Sequence, residues 1–215
     1  MIRMATVAVL LALAGCASTA PQYYSLQSTR SQSAEAVRVD PKRPAFAVSV
    51  QPVVVPEQVA RPQIVVSTPT SAQVVPLNAA LWAAPLESQI RNVLTDELTR
   101  RWNVLDVSRA GASEDWPVWR VYFDVQRFDS VYDQSVRQEV VWRLVPQGMP
   151  SVVKERVCSA QAQTTVGTGM SALVEGHREL LMRLATVMAS TLPSAAAADR
   201  PASLPDGVTF AGCMG

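Results

Sequence analysis

The chain has 215 residues, and its 19 basic side chains are balanced by 18 acidic ones, so it carries no electrostatic footprint for nucleic acid. Hydrophobic residues make up 48% of it, which excludes disorder throughout. About 200 residues beyond an apolar leader are enough for one domain with a real core and too few for two of ordinary size.

The leader comes first. Arg3 precedes an apolar run from Ala5 to Ala14, the arrangement of an export signal. The run is too short to span a bilayer, which takes ~20 apolar residues. It stops at Leu13-Ala14-Gly15-Cys16, which looks like a bacterial lipobox instead of an ordinary A-x-A cleavage site. On that reading residues 1–15 are removed, and Cys16 becomes the first residue and carries the acyl chains. Each buried CH₂ contributes ~0.8 kcal/mol, so more than one chain anchors a protein durably without a spanning helix. An ordinary signal peptide with an incidental cysteine is the alternative. Similarity to the lipoprotein sorting rule, with Ala17 and Ser18 and no aspartate after the cysteine, implies the outer membrane.

Gln22 to Leu26 is apolar enough for a short first strand. Ser28 to Pro44 is polar, charged and without period, and reads as a tether between anchor and fold. Phe46, Val48 and Val50 alternate with Ala47, Ser49 and Gln51, which predicts a half-buried strand ended by Pro56. A turn through Arg61-Pro62 leads to a strand at Gln63 to Ser67, with Ala72 to Val75 as its hairpin partner. Pro85 suits the first turn of a helix, and Leu86, Ile90, Val93, Leu94 and Leu98 form its apolar stripe as far as Trp102.

Val104 to Val107 reads as a short strand. Trp119 to Val125, Glu139 to Val145 and Val152 to Ala160 form a three-stranded antiparallel meander. A second helix follows from Met170 to Leu192, with Pro193 after it. The fold class is therefore α/β in the α+β sense: a single domain with a mixed, mostly antiparallel sheet and two long amphipathic helices packed on it. The expected divisions are 1–15 signal, 16–44 lipidated N-terminus with a short strand and tether, 45–192 the domain, and 193–215 a flexible Ala/Pro-rich tail.

The search for catalytic chemistry yields little. The single histidine, His177, lies between helical positions Val174 and Leu181 and reads as a boundary or surface residue. No zinc spacing, phosphate loop with its lysine or GxSxG elbow occurs, and Gly167-Thr168-Gly169 reads as a strand-to-helix connection. Asp124, Asp129, Asp133 and Glu139 read as a solvated edge and not an acid/base pair. No catalytic residue, metal or cofactor is expected. Cys158 and Cys213 either join the chain end to the body by a disulfide or are a buried hydrophobe and an unpaired thiol. Trp119 and Trp142 fall on inward strand positions, whereas Trp82, just before Pro85, is open to a core or an interfacial role.

In order, the lipobox, Tyr23-Tyr24-Ser25-Leu26, the strand Val48 to Val55 with Pro56-Glu57, Arg61-Pro62-Gln63, and Leu81-Trp82-Ala83-Ala84-Pro85-Leu86 resemble the ABC-type transport auxiliary lipoproteins of the paraquat-inducible C type. The resemblance spans roughly Tyr23 to Leu192; the alanine-rich end with Cys213 departs from it. It implies a non-enzymatic outer-membrane lipoprotein facing the periplasm and working in lipid transport. The implied partners are a mammalian-cell-entry (MCE) protein and an inner-membrane ABC transporter with its permease and ATPase, alongside the membrane itself through the lipid anchor. Arg61 and Trp82 are the candidate partner-binding residues. A homo-oligomeric ring would match a ring-shaped partner. Another structural or ligand-binding envelope lipoprotein is the alternative.

Overall fold

The computed structural model describes residues 20–27, 46–68, 73–111, 116–192 and 201–215. Strands β1 (Gln22–Tyr24), β2 (Ala47–Val50), β3 (Gln63–Ser67) and β4 (Val74–Trp82) precede helix α1 (Leu86–Trp102). Strands β5 (Val118–Val131), β6 (Ser135–Gln147) and β7 (Arg156–Thr165), helix α2 (Met170–Ser190) and strand β8 (Val208–Met214) follow. The strands make one eight-stranded sheet in the order β1-β4-β3-β5-β6-β7-β8, with β2 also pairing to β5. The β5-β6-β7-β8 run is antiparallel throughout, while β1 on β4, β2 on β5 and the end of β3 on β5 are parallel. The α+β fold is thus the one the patterning predicts.

Strand β5 explains both the success and the limits of that patterning. Trp119, Val121, Phe123 and Val125 face the core in strict alternation. The register then slips between Val125 and Arg127, so the next inward residues are Phe128 and Ser130. A bulge inserts one residue and reverses the phase of everything after it, and this is why alternation alone ends the strand at Val125. Inward positions continue across the sheet with Val136, Val140, Trp142 and Leu144 on β6, Cys158, Ala160 and Ala162 on β7, and Val208 and Phe210 on β8.

Both helices cover that inward face. Helix α1 buries Leu86, Ile90, Val93, Leu94 and Leu98, and α2 buries Leu173, Val174, Leu180, Leu181, Leu184 and Met188. The Pro85 carbonyl accepts the N–H groups of Ser88 and Gln89 at 3.0 and 3.1 Å, so the proline sits one residue ahead of α1 and opens it. Asn103, at φ 51°, closes it in the left-handed conformation. At the other helix, Gly169 with φ 88° makes the turn from β7 into α2 that a side chain would strain.

Several segments differ from the sequence expectation. Strand β4 runs nine residues to Trp82 where only Ala72 to Val75 is expected, because Pro76 interrupts the apolar run and inward positions return only at Ala80 and Trp82. The stretch from Val104 to Val107 makes a single bridge, Asp106 to Val48, and not a strand. Pro150 accepts the Val153 N–H in a turn, so β7 begins four residues later than Val152.

Two terminal readings are corrected. Strand β1 pairs with β4, and Leu26 is fully buried with its N–H donated to Gln89 Oε1 at 2.8 Å. Strand β1 is therefore part of the sheet and not of the segment ahead of the domain; residues 28–45, which include the stretch read as a tether, lie outside the described residues. At the other end, residues 201–215 are not a flexible tail; 193–200 lie outside the described residues. Val208 and Phe210 alternate inward on β8, and Phe210 packs against Trp142 with ring centroids 6.1 Å apart. A seven-residue strand preceded by alanines and prolines carries too little apolar signal to be read alone.

Cys158 stands opposite Cys213 in the β7-β8 register, and the two are joined by a disulfide. The closed loop of 55 residues corresponds to about 4 kcal/mol of unfolded-state entropy in the chain model. Non-reducing mass spectrometry is expected to show no free thiol on either residue, and Cys213→Ser to lower unfolding stability by about 2–4 kcal/mol. Two free thiols in the oxidised protein would remove the bridge.

Candidate functional site

The two residues singled out as partner-binding are neighbours in space with opposite burial. A tight turn precedes β3: Val59 and Ala60 donate to the Pro56 carbonyl at 3.0 and 3.1 Å, and Arg61 donates to the Val59 carbonyl at 2.8 Å. Val59 is buried and pins the turn to the core, which leaves Arg61 and Pro62 exposed. The Pro62 carbonyl accepts the Trp82 backbone N–H at 2.7 Å, so the turn is stitched to the end of β4. The Trp82 indole, however, is 5% exposed and meets the Phe128 ring edge-on at 6.4 Å. Trp82 is therefore a core residue and not an interfacial one. Its apolar area is worth more in the core than on the surface. Cys16, the lipidation candidate, lies outside the described residues.

Behind Trp82 lies a buried polar cluster that the sequence reading misses. His177 is fully buried, not on a boundary or the surface, and its ring stacks on Phe128 at 3.8 Å with an 8° tilt. Gln138 Nε2 donates to the His177 carbonyl at 3.0 Å, which fixes that amide's orientation. The same NH₂ then faces His177 Nδ1 at 3.1 Å, so Nδ1 accepts and the ring proton sits on Nε2. Nε2 donates to Ser130 Oγ at 2.8 Å. A serine that accepts from imidazole is not being deprotonated by it, and both groups are closed off from solvent. The arrangement is structural. The signal for it was present: Gln138 lies between Val136 and Val140 on the inward phase of β6.

The opposite face of the sheet is open and polar. Arg127 pairs with Asp129 and Glu139, and Arg137 with Glu139 and, at 2.8 Å, with Gln161. Arg143 lies over the Tyr122 ring at 4.5 Å. Asp133 Oδ1 instead accepts the Gly169 N–H at 2.7 Å, joining the β5-β6 turn to the start of α2. A groove of about 480 Å³ runs along β7 and β8 between Arg137, Gln163, Thr165 and Thr209. Asp129 and Glu139 are thus engaged in ion pairs and Asp133 in a backbone contact, and exposed pairs of this kind contribute little, ~0–1 kcal/mol each. Among the described residues no group of acidic, His and Cys side chains is placed to hold a metal ion.

Two outcomes are expected. Trp82→Ala should cost about 3–5 kcal/mol of stability, while Arg61→Ala should stay within about 0.5 kcal/mol, read as melting shifts; an unchanged melting temperature for the Trp82 variant would return it to the surface. Burial also pushes the His177 pKa down from 6.5 to about 3. The unfolded chain takes up this proton near pH 6.5 and the folded one does not, so the contribution is complete above pH 6.5 and is lost as pH falls towards 3. Between pH 7 and 5 the loss is about 2 kcal/mol. Because the chain has one histidine, urea unfolding of His177→Gln should lack that step, and an identical pH slope in both proteins would refute the assignment.

Similarity to known proteins follows the same architecture. The family described as the ABC-type transport auxiliary lipoprotein component matches residues 24–189, from β1 to the end of α2. No curated protein matches the chain. Among solved structures, an uncharacterised protein has 21% identity and a TM-score of 0.59, covering 81% of this chain and 99% of its own. Protein XCC0632 from Xanthomonas campestris, of the DUF330 family, has 19% identity and a TM-score of 0.52, covering 72% of this chain and 89% of its own. At these identities the two structures speak for the fold alone. With both helices and the strands from the end of β1 to β7 inside the family match, the chain belongs to the ABC-type transport auxiliary lipoproteins.

Proposed function

We propose that the protein is a non-enzymatic lipoprotein of the outer membrane. It is held there by acyl chains on Cys16 and docks a periplasmic MCE protein that an inner-membrane ABC transporter serves in lipid transport. The observation that carries this reading is the family match over residues 24–189, whose description combines a transport system with a lipoprotein. The sequence before it supports the anchor: a short apolar run closes on Leu13-Ala14-Gly15-Cys16. No helix among the described residues is long and apolar enough to cross a membrane.

The exposed turn around Arg61 is the proposed docking point. It is rigid, because Val59 and the Pro62-to-Trp82 hydrogen bond fix it at both ends. A guanidinium presented on such a turn offers planar, bidentate pairing to a carboxylate on the partner.

Membrane fractionation and photo-crosslinking test the two halves. Wild type should fractionate with outer membranes and Cys16→Ala should become soluble in the periplasm; membrane retention of the variant would refute the anchor. A photo-crosslinking amino acid at position 61 should capture an MCE protein, and capture of none at that position would remove the docking point.

A further inference from the structure

The open face of the sheet is neutralised at one end and not at the other. Toward the β5-β6 turn, Arg127 pairs with Asp129 and Glu139, and Arg137 with Glu139. Nearer the start of β5, Val121, Phe123, Trp142 and Leu144 point into the core, so alternation turns Arg120, Tyr122, Val141, Arg143 and Val145 to the open face. Arg120 stands opposite Val145 and Tyr122 opposite Arg143, which makes the two arginines diagonal neighbours about 7–8 Å apart. Both are exposed. Among the described residues no carboxylate forms an ion pair with either of them, Asp124 on the same face included.

The pair is held in place by its surroundings. The Arg143 guanidinium lies over the Tyr122 ring at 4.5 Å, a cation–π contact that leaves its N–H edge to a planar acceptor from outside. Across the sheet Arg143 is followed by Val157 and then by Met214, which is 76% exposed. Val141, Val145 and Val157 are half-buried beside it. Arginine, tyrosine and methionine are side chains enriched in contacts between proteins. The groove on this face lies beside Gln163 and Thr209 and takes in neither Arg120 nor Arg143. Small ligands favour concave sites, so a pair raised on the surface of regular strands suits a protein partner.

We infer that the open face around Arg120, Tyr122 and Arg143 is a docking surface for a segment of another protein that presents carboxylates among apolar side chains. The carboxylates supply the counter-charge that this part of the face lacks, and the apolar neighbours cover Val145, Val157 and Met214. The surface rests on these strands alone and not on the readings of Cys16 or Arg61.

The test places a photo-crosslinking amino acid at position 145 of the full acylated protein in intact envelopes, with the captured protein identified and the joined peptide sequenced by mass spectrometry. The expected peptide belongs to a different protein and carries Asp or Glu on both sides of the crosslink. Arg120→Glu and Arg143→Glu should each reduce capture several-fold. Arg100→Glu, the same change of charge on α1 across the sheet, should leave it unchanged. Melting temperatures establish that each variant is folded, and Arg143→Gln serves if Arg143→Glu is not. Capture unaffected by both arginine variants, a peptide without carboxylates, a phospholipid adduct, a second copy of this chain, or no capture at position 145 would each overturn the surface.

Discussion

The long antiparallel pairing of β5 with β6 is the interaction on which the remaining structure depends. Its inward face supplies Trp119, Phe123, Trp142 and Leu144 as the floor on which both helices lie. The free edge of β5 takes β2 along its first half and the end of β3 at Val131. The bulge after Val125 lets one strand serve both arrangements, because it turns Phe128 and Ser130 inward beneath Trp82 and His177. Without that phase reversal Phe128 would face solvent, and neither the indole nor the imidazole would have its aromatic neighbour.

Burial of His177 shows the same economy. A neutral imidazole with Gln138 on one nitrogen and Ser130 on the other ties α2 to β5 and β6 through directed bonds in an otherwise apolar layer. Such a cluster specifies one helix register against the sheet, since a slip would strand three buried polar groups. It adds no reactive group, in keeping with a family whose description points to an auxiliary role and not to catalysis.

Much of this was legible in the sequence, and the losses have physical causes. The two helices and the β5-β6-β7 meander were readable because Leu, Ile and Val recur at helical spacing in one case and alternate in the other. Strand β4 was half missed because Pro76 ends the apolar run that predicts Ala72 to Val75, and an inward alternation returns only at Ala80 and Trp82. His177 was misplaced because helical phase puts a residue beside a stripe but cannot say how wide the covering sheet is. Strand β8 was hidden by its composition, although Cys213 offered a hint through its pairing with Cys158. Trp82 defeated the reading because a tryptophan before a helix serves a core as readily as an interface, and only the position of Phe128 decides between them.

Fold and family leave one central proposal, that this lipoprotein holds an MCE protein at the outer membrane. The most direct measurement is native purification of the acylated wild-type protein from whole envelopes without crosslinker, with stoichiometric partners identified by mass spectrometry. Co-purification of an MCE protein is the expected result. Recovery of cell-wall material or unrelated envelope proteins, with no MCE protein present, would contradict the transport role while leaving the fold as described.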